Sequence, residues 1–148
     1  MEQLKMMLVD DEERFLSTTR KLLEKRGFDV QTAASGSEAL EMLRASPVHV
    51  VILDVKMPGM DGVATLREIK RQFPMVEVIM LTGHATVESA VEGLKSGATD
   101  YLMKPADIED LIGKAEEAYR RRRGLEEKIR VARMRKISGS VSSILKDT

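Results

Sequence analysis

The chain has 148 residues, 43% hydrophobic and 32% charged, which predicts one folded domain with an apolar core and a short appendage. It has no cysteine, which excludes disulfides, thiolate catalysis and cysteine zinc sites, and its 3% aromatic content argues against a base-stacking nucleic-acid surface. The net charge is zero, but residues 1–112 carry 13 basic and 19 acidic side chains, whereas residues 113–148 carry 11 basic and 5 acidic ones.

Short apolar runs alternate with segments of helical periodicity. The runs predict strands at residues 4–9, 28–33, 48–53, 76–81 and 101–103. Helices are expected at residues 12–26, 37–44, from the 56–62 loop to about 73, 86–95, and from about 107 onward. Ser37 is the predicted N-cap of the second helix, and Gly27 is the predicted end of the first. The pattern therefore contains five strand–helix units.

Such alternation with short connections predicts an α/β fold, a doubly wound five-stranded parallel sheet with helices on both faces. In these sheets ligands bind at the carboxyl ends of the strands. The residues expected at those ends are three carboxylates, a hydroxyl and an ammonium group: Asp10, Asp11, Asp54, Thr82 and Lys104.

Three adjacent carboxylates need a cation to remain ionised together. Oxygen ligands favour Mg²⁺, whereas Zn²⁺ would require more nitrogen or sulfur ligands than His49 and His84 provide. A metal here would neutralise an approaching phosphoryl group, which Thr82 and Lys104 could hold by its remaining oxygens. This chemistry predicts that Asp54 is a nucleophile toward phosphorus.

The sequence resembles the receiver domains of two-component response regulators between about residues 4 and 119. The resemblance rests on four motifs: Asp10-Asp11, Leu53-Asp54 followed by residues 57–62 (MPGMDG), Leu81-Thr82-Gly83, and Tyr101 three residues before Lys104-Pro105. It implies a flavodoxin-like sheet of strand order 2-1-3-4-5. It also implies a phosphoacceptor switch that assists its own phosphorylation and dephosphorylation and is not an enzyme acting on other substrates.

Carried over to this chain, the resemblance implies that Asp54 accepts the phosphoryl group. Asp11 and Asp54 would bind Mg²⁺ directly, Asp10 would act mainly through water, and the Lys56 backbone carbonyl would be a third protein ligand. Further residues are assigned by role: Thr82, Gly83 and Lys104 bind phosphate, Thr82 and Tyr101 form the switch, Lys56 and His84 tune phosphoryl lifetime, and Pro105 follows a cis peptide bond.

The resemblance predicts a receiver domain at residues 1–119, followed by a basic helical extension interrupted at Gly124 and a flexible end from residue 138. The extension could be a solvated helix, a dimerising linker, or a contact for an acidic partner or nucleic acid. A sensor histidine kinase or phosphotransfer protein is the expected donor, and a protein target or a following output domain the expected recipient. The chain lacks a membrane-spanning stretch and a signal-peptide pattern, so we expect a cytoplasmic protein.

Two other functions fit parts of this pattern. A Mg²⁺-dependent aspartate-nucleophile phosphatase would also form an acyl phosphate, but phosphatases of the haloacid dehalogenase type carry a second Asp two residues after the nucleophile. That position is Lys56 here. A nucleic-acid-binding regulator could use the basic extension, but the sequence contains no recognisable base-reading motif.

Overall fold

The computed structural model describes residues 3–55, 62–83 and 87–146, and within residues 87–89 and 138–146 it describes the backbone alone. Strands and helices alternate along the whole described chain. Their bounds are β1 Lys5–Val9, α1 Glu13–Lys25, β2 Asp29–Ala33, α2 Gly36–Ala45, β3 Val50–Asp54, α3 Gly62–Gln72, β4 Glu77–Thr82, α4 Val87–Lys95, β5 Asp100–Met103 and α5 Ile108–Lys146.

The strands form one parallel sheet in the order β2-β1-β3-β4-β5. This arrangement confirms the predicted doubly wound fold and its strand order. β3 lies at the centre and all five of its residues are buried, as a parallel strand covered on both faces must be. Because the strands are parallel, their carboxyl ends share one edge, which we call the carboxyl edge.

Side chains alternate between two apolar layers, because successive residues of a strand point to opposite faces. On β1, Met7 packs in a cluster with residues of α2 and α3, whereas Leu8 packs in a cluster with residues of α1 and α5. Gly93 of α4 lies against Met80 so closely that a Cβ would come within 2.1 Å of its sulfur. The two layers fix the helices relative to the carboxyl edge.

Local sequence explains most helix ends. Gly27 follows α1 with φ +88°, and Gly97 follows α4 with φ +110°, a conformation that favours glycine. The predicted cap Ser37 is wrong, because the N-cap is Ser35, whose Oγ accepts a hydrogen bond from the Glu38 N–H at 3.1 Å. The Glu38 carboxylate accepts in return from the Ala34 N–H, so α2 starts one residue earlier than the pattern suggested.

Helix α5 packs on the sheet at its start and then continues as a basic helix through the predicted interruption at Gly124. The penalty of about 1 kcal/mol for a helical glycine is small beside a continuous hydrogen-bond ladder and ion pairs such as Arg122–Glu126. The backbone is helical up to Lys146, and the flexible end from residue 138 stays a prediction. We call residues 120–146 the α5 extension; its separation from a receiver domain at residue 119 stays a prediction.

His49 lies at the opposite end of β3 from Asp54, so it is not near the carboxyl edge. It is buried, and its Nδ1 accepts a hydrogen bond from the Lys5 N–H at 3.0 Å. Its ring lies 4.8 Å from the Tyr119 ring of α5. These contacts give His49 a structural role. Within the described residues, no helix is both long and apolar enough to cross a membrane.

Candidate phosphoacceptor site

The carboxyl edge brings three carboxylates together. Asp10 and Asp11 follow β1, and Asp54 is the last residue of β3, the neighbouring strand. One oxygen from each of the three side chains lies within 4.8 Å of the others. The predicted cluster of acidic residues is therefore present, and parallel strand pairing is its cause.

The three carboxylates differ in how they are held. Asp10 is 1% exposed; its Oδ1 accepts from the Glu12 N–H at 3.0 Å and its Oδ2 from the Lys104 ammonium at 2.6 Å. Asp54 is 5% exposed, whereas Asp11 is exposed to solvent. Asp10 is thus fixed by protein contacts through both oxygens, whereas Asp11 offers an exposed carboxylate to a ligand.

Lys104 supplies positive charge to this cluster. Its Nζ lies 2.6 Å from Asp10 Oδ2 and 3.9 Å from Asp54 Oδ2. Burial alone would lower the pKa of Lys104, but the hydrogen bond to Asp10 and the charges of Asp10, Asp54 and Glu12 together raise it above its ordinary value. The ammonium is therefore charged at neutral pH and bridges the two buried carboxylates.

Phe15 completes the surroundings of Lys104. Its ring centroid lies 4.7 Å from the Lys104 Nζ, within range of a cation–π contact. Phe15 was not singled out by sequence reasoning. Its position in the first turn after Asp10-Asp11 was the available signal that it could reach the carboxyl edge.

Thr82 and Lys104 are joined through their backbones at the ends of β4 and β5. The Lys104 N–H donates a hydrogen bond to the Thr82 carbonyl at 2.7 Å. This bond holds the backbones that carry the two side chains next to each other. Thr82 is buried and the following residue, Gly83, is exposed. The structure thus brings the predicted phosphate-binding residues to the same edge as the carboxylates.

Tyr101 lies on β5 and does not join the acidic cluster. Its half-buried side chain packs against the apolar cluster formed with α2 and α3. The Lys104–Pro105 peptide bond is cis, as the resemblance implied. The two predicted modulators, Lys56 and His84, lie outside the described residues.

A close backbone contact at Gly62 was not singled out by sequence reasoning. A Cβ at this position would lie 2.4 Å from the Val55 Cα and 2.7 Å from the Asp54 carbonyl oxygen. The Gly62 N–H donates to the Val55 carbonyl at 3.0 Å. Helix α3 therefore starts directly against the backbone that carries Asp54, which only glycine allows without displacement.

The donor set fits a hard divalent cation. Carboxylate oxygens are the ligands that Mg²⁺ prefers, and it commonly uses one or two of them with water completing its shell. No histidine or cysteine joins Asp10, Asp11 and Asp54 among the residues that the structure describes, which argues against a zinc-type site. Lys104 already offsets part of the negative charge, so the cluster does not depend on a metal alone.

The chain is similar to response regulators in sequence and in structure. The sequence model described as "Response regulator receiver domain" matches residues 6–116. Transcriptional regulatory protein ZraR of Escherichia coli (strain K12) is 41% identical over 117 residues, which are 79% of this chain and 26% of that protein. The chain thus spans about a quarter of the length of such curated relatives.

Solved structures give the same result. A response regulator receiver domain protein (CheY-like) from Methanospirillum hungatei JF-1 superposes with a TM-score of 0.79 at 31% identity, covering 83% of this chain and 98% of that one. NtrX from Brucella abortus superposes with a TM-score of 0.82 at 31% identity, covering 88% of this chain and 30% of that one. Similarity in structure thus extends over most of this chain.

Proposed function

Because the chain belongs to the response regulator receiver domain family, we propose that it is a phosphoacceptor switch in which Asp54 takes a phosphoryl group from a partner histidine kinase or phosphotransfer protein. The observation that carries the proposal is the meeting of Asp10, Asp11 and Asp54 with Lys104 at one edge of the sheet. A nucleophilic carboxylate, a cation and further oxygen ligands are the groups that phosphoryl transfer requires.

In the proposed step, an Asp54 carboxylate oxygen attacks the phosphorus of a phosphohistidine. A P–O bond forms as the P–N bond breaks, and the departing imidazole nitrogen keeps the electron pair and is then protonated by solvent. The product is an acyl phosphate on Asp54. Burial of Asp54 at the carboxyl edge limits competing access of water to the acyl phosphate.

Mg²⁺ is the proposed cofactor, with Asp11 and Asp54 as direct ligands, Asp10 acting through water and the Lys56 carbonyl as a third protein ligand. When bound, the ion would offset negative charge as the phosphoryl group arrives. Asp10 is held by Lys104 and the Glu12 N–H, so its part is to position charge near the ion.

Lys104 and Thr82 would bind the phosphoryl group, and Thr82 and Tyr101 would form the switch. The Lys104 ammonium is 3.9 Å from Asp54, near enough to exchange Asp10 for a phosphoryl oxygen by a small side-chain movement. The Thr82 hydroxyl would donate to another oxygen, with Gly83 beside it. Since Thr82 and Tyr101 lie on the adjoining strands β4 and β5, their rearrangement would alter packing beneath α4 and α5.

The proposed output is a changed protein-binding surface, in a following domain or a separate target. The extension carries exposed Leu125 and Ile129 with Ala132, a short stripe that could pair with a second copy. Phosphorylation-dependent self-association can be tested by sedimentation of the full chain and of a chain ending at Tyr119, each with and without beryllofluoride. The proposal predicts association only in the full chain with beryllofluoride; identical behaviour of all four samples would exclude it.

The central test is labelling with radioactive acetyl phosphate in the presence and absence of Mg²⁺. We expect Mg²⁺-dependent, acid-stable and alkali-labile label on the parent chain and on Asp29→Ala, which removes an exposed carboxylate of β2. Asp54→Ala should remove the label, and Asp11→Ala should remove its dependence on Mg²⁺. Label that persists at unchanged stoichiometry in Asp54→Ala would refute the assignment.

A further inference from the structure

A cleft lies at the opposite end of the sheet from Asp54. It has a volume of about 820 Å³ and separates the α5 extension from the α3–β4 turn and the end of α4. Arg121 and Lys128 line its α5 side, and Leu94 and Leu125 supply apolar wall. A volume of this size falls within the range of about 300 to 1,000 Å³ that is usual for small-molecule sites.

Some cations of α5 are paired with carboxylates of the same helix, and others are not. Arg120 and Arg130, which do not line this cleft, form ion pairs with Glu116 and Glu127 on the same helix. Arg121 and Lys128 are paired with no carboxylate among the described residues. They are seven residues apart, so they lie on one helix face about 10 Å from each other. The cleft is thus lined by these two cations and Lys70, with Glu77 as the one carboxylate among its lining residues.

A third cation lies beside the cleft. Arg122 has a mostly buried side chain; its Nε donates to Glu126 at 2.9 Å, but its buried Nη1 meets no acceptor among the residues that the structure describes. A buried N–H without an acceptor is unfavourable by about 1 to 3 kcal/mol. Arg122 does not line the cleft itself, so its part there is to add positive charge nearby.

Lys70 also lines the cleft, but its ammonium is bound to backbone carbonyls. Its ammonium donates to the carbonyls of Pro74 and Val76 at 2.9 and 2.8 Å, and so neutralises the carbonyl ends of the α3–β4 turn. Burial lowers the pKa of Lys70, Glu77 opposes this, and the Arg122 charge lowers the pKa further. Arg122 is therefore close enough to Lys70 to repel it, although the attraction of Glu77 for Lys70 is the larger of the two effects.

We propose that this cleft binds a phosphate-bearing organic anion, with phosphate on Arg121 and Lys128 and the organic part against Leu94 and Leu125. A phosphate monoester carries about −1.5 to −2 charges, which suits several cations better than a single carboxylate does. Arginine also binds phosphate oxygens through two parallel N–H donors. The ligand would join the α5 extension to the α3–β4 turn and so hold the extension against the body.

The test is calorimetric titration of the full chain, in low-salt buffer freed of divalent ions, with inorganic pyrophosphate and separately with adenosine diphosphate. The double variant Arg121→Gln/Lys128→Gln should weaken both affinities at least tenfold. The matched control Arg120→Gln/Arg130→Gln removes the same charge from outside the cleft and should change each affinity less than twofold. Leu125→Ala should weaken adenosine diphosphate alone.

Amide shifts on titration should appear at residues 97–99 and 121–128. Equal weakening by the two double variants would show diffuse attraction to a basic helix and would overturn the site. Absence of binding to the parent chain would also overturn it. If Leu125→Ala changed the affinities for pyrophosphate and adenosine diphosphate equally, the proposed contact between Leu125 and the organic part of the ligand would be wrong. None of these outcomes bears on labelling of Asp54.

Discussion

The carboxyl edge and the α5 extension are both rich in charge, but they hold it in different ways. At the edge, Lys104 is paired with Asp10, 94 residues away in sequence, and Asp10 is 1% exposed. In the extension, Arg130 is paired with Glu127 three residues away, and the two side chains are 62% and 58% exposed. The ion pairs at the edge therefore form only in the complete fold. The ion pairs of the extension need only one helix, and solvent screens them.

The same substitution should have opposite effects in the two regions. Gly62→Ala would place a Cβ 2.4 Å from the Val55 Cα, and we expect it to lower the free energy of unfolding by about 3 kcal/mol. At Gly124 nothing lies within 4 Å of the added Cβ, so Gly124→Ala should strengthen the local helix by about 1 kcal/mol. Urea unfolding measures the first effect and hydrogen exchange of the extension the second. Stability changes of the same sign for Gly62→Ala and Gly124→Ala would contradict the comparison.

Lys104→Met should have the next largest effect on the free energy of unfolding. It leaves the buried Asp10 oxygen without its donor and the carboxylates without their nearest cation, so we expect a loss of about 2 kcal/mol at neutral pH. Adding Mg²⁺ should recover part of this loss. Lys25→Met, which removes an exposed lysine at the end of α1, is the matched control and should change stability little. A loss no greater than the control's would show that Lys104 does not stabilise the edge.

The contribution of Lys104 should also have a defined pH window. Its pKa is raised above 10.5 in the folded protein, so the stability that it contributes is present below about pH 10.5 and is lost as pH rises through the higher folded value. The difference in unfolding free energy between the parent and Lys104→Met should therefore be constant from about pH 8 to 10 and shrink above that. A difference that grew in strong alkali would reverse the sign of the argument.

Phe15→Leu should have the smallest effect. Leucine keeps an apolar side chain but removes the ring beneath the Lys104 ammonium, so we expect a loss of about 0.5 to 1 kcal/mol. The part due to the cation should disappear in a Lys104→Met background, which a double-mutant cycle by urea unfolding would measure. An unchanged cost in that background would mean that Phe15 acts only through core packing.

Sequence reasoning predicted the features that depend on strand periodicity and order. The carboxyl ends of parallel strands all lie at one edge of such a sheet, so the apolar runs alone were enough to locate Asp10, Asp54 and Thr82. Contacts between distant segments were not predictable: nothing near Phe15 in sequence indicates Lys104, and the reason for Gly62 is the backbone of Val55. The choice of Ser35 over Ser37 as cap, and the passage of α5 through Gly124, depend on small energy differences between neighbouring residues.

The most direct measurement of the central claim is chemical mapping of the phosphorylated residue. After treatment with acetyl phosphate and Mg²⁺, borohydride would reduce the acyl phosphate to an alcohol, and tandem mass spectrometry of the peptides would locate it. We predict modification at position 54 and nowhere else, with no modified peptide from Asp54→Asn. Reduction at Asp10, Asp11 or another carboxylate of the parent chain would contradict the assignment of Asp54 as the phosphoacceptor.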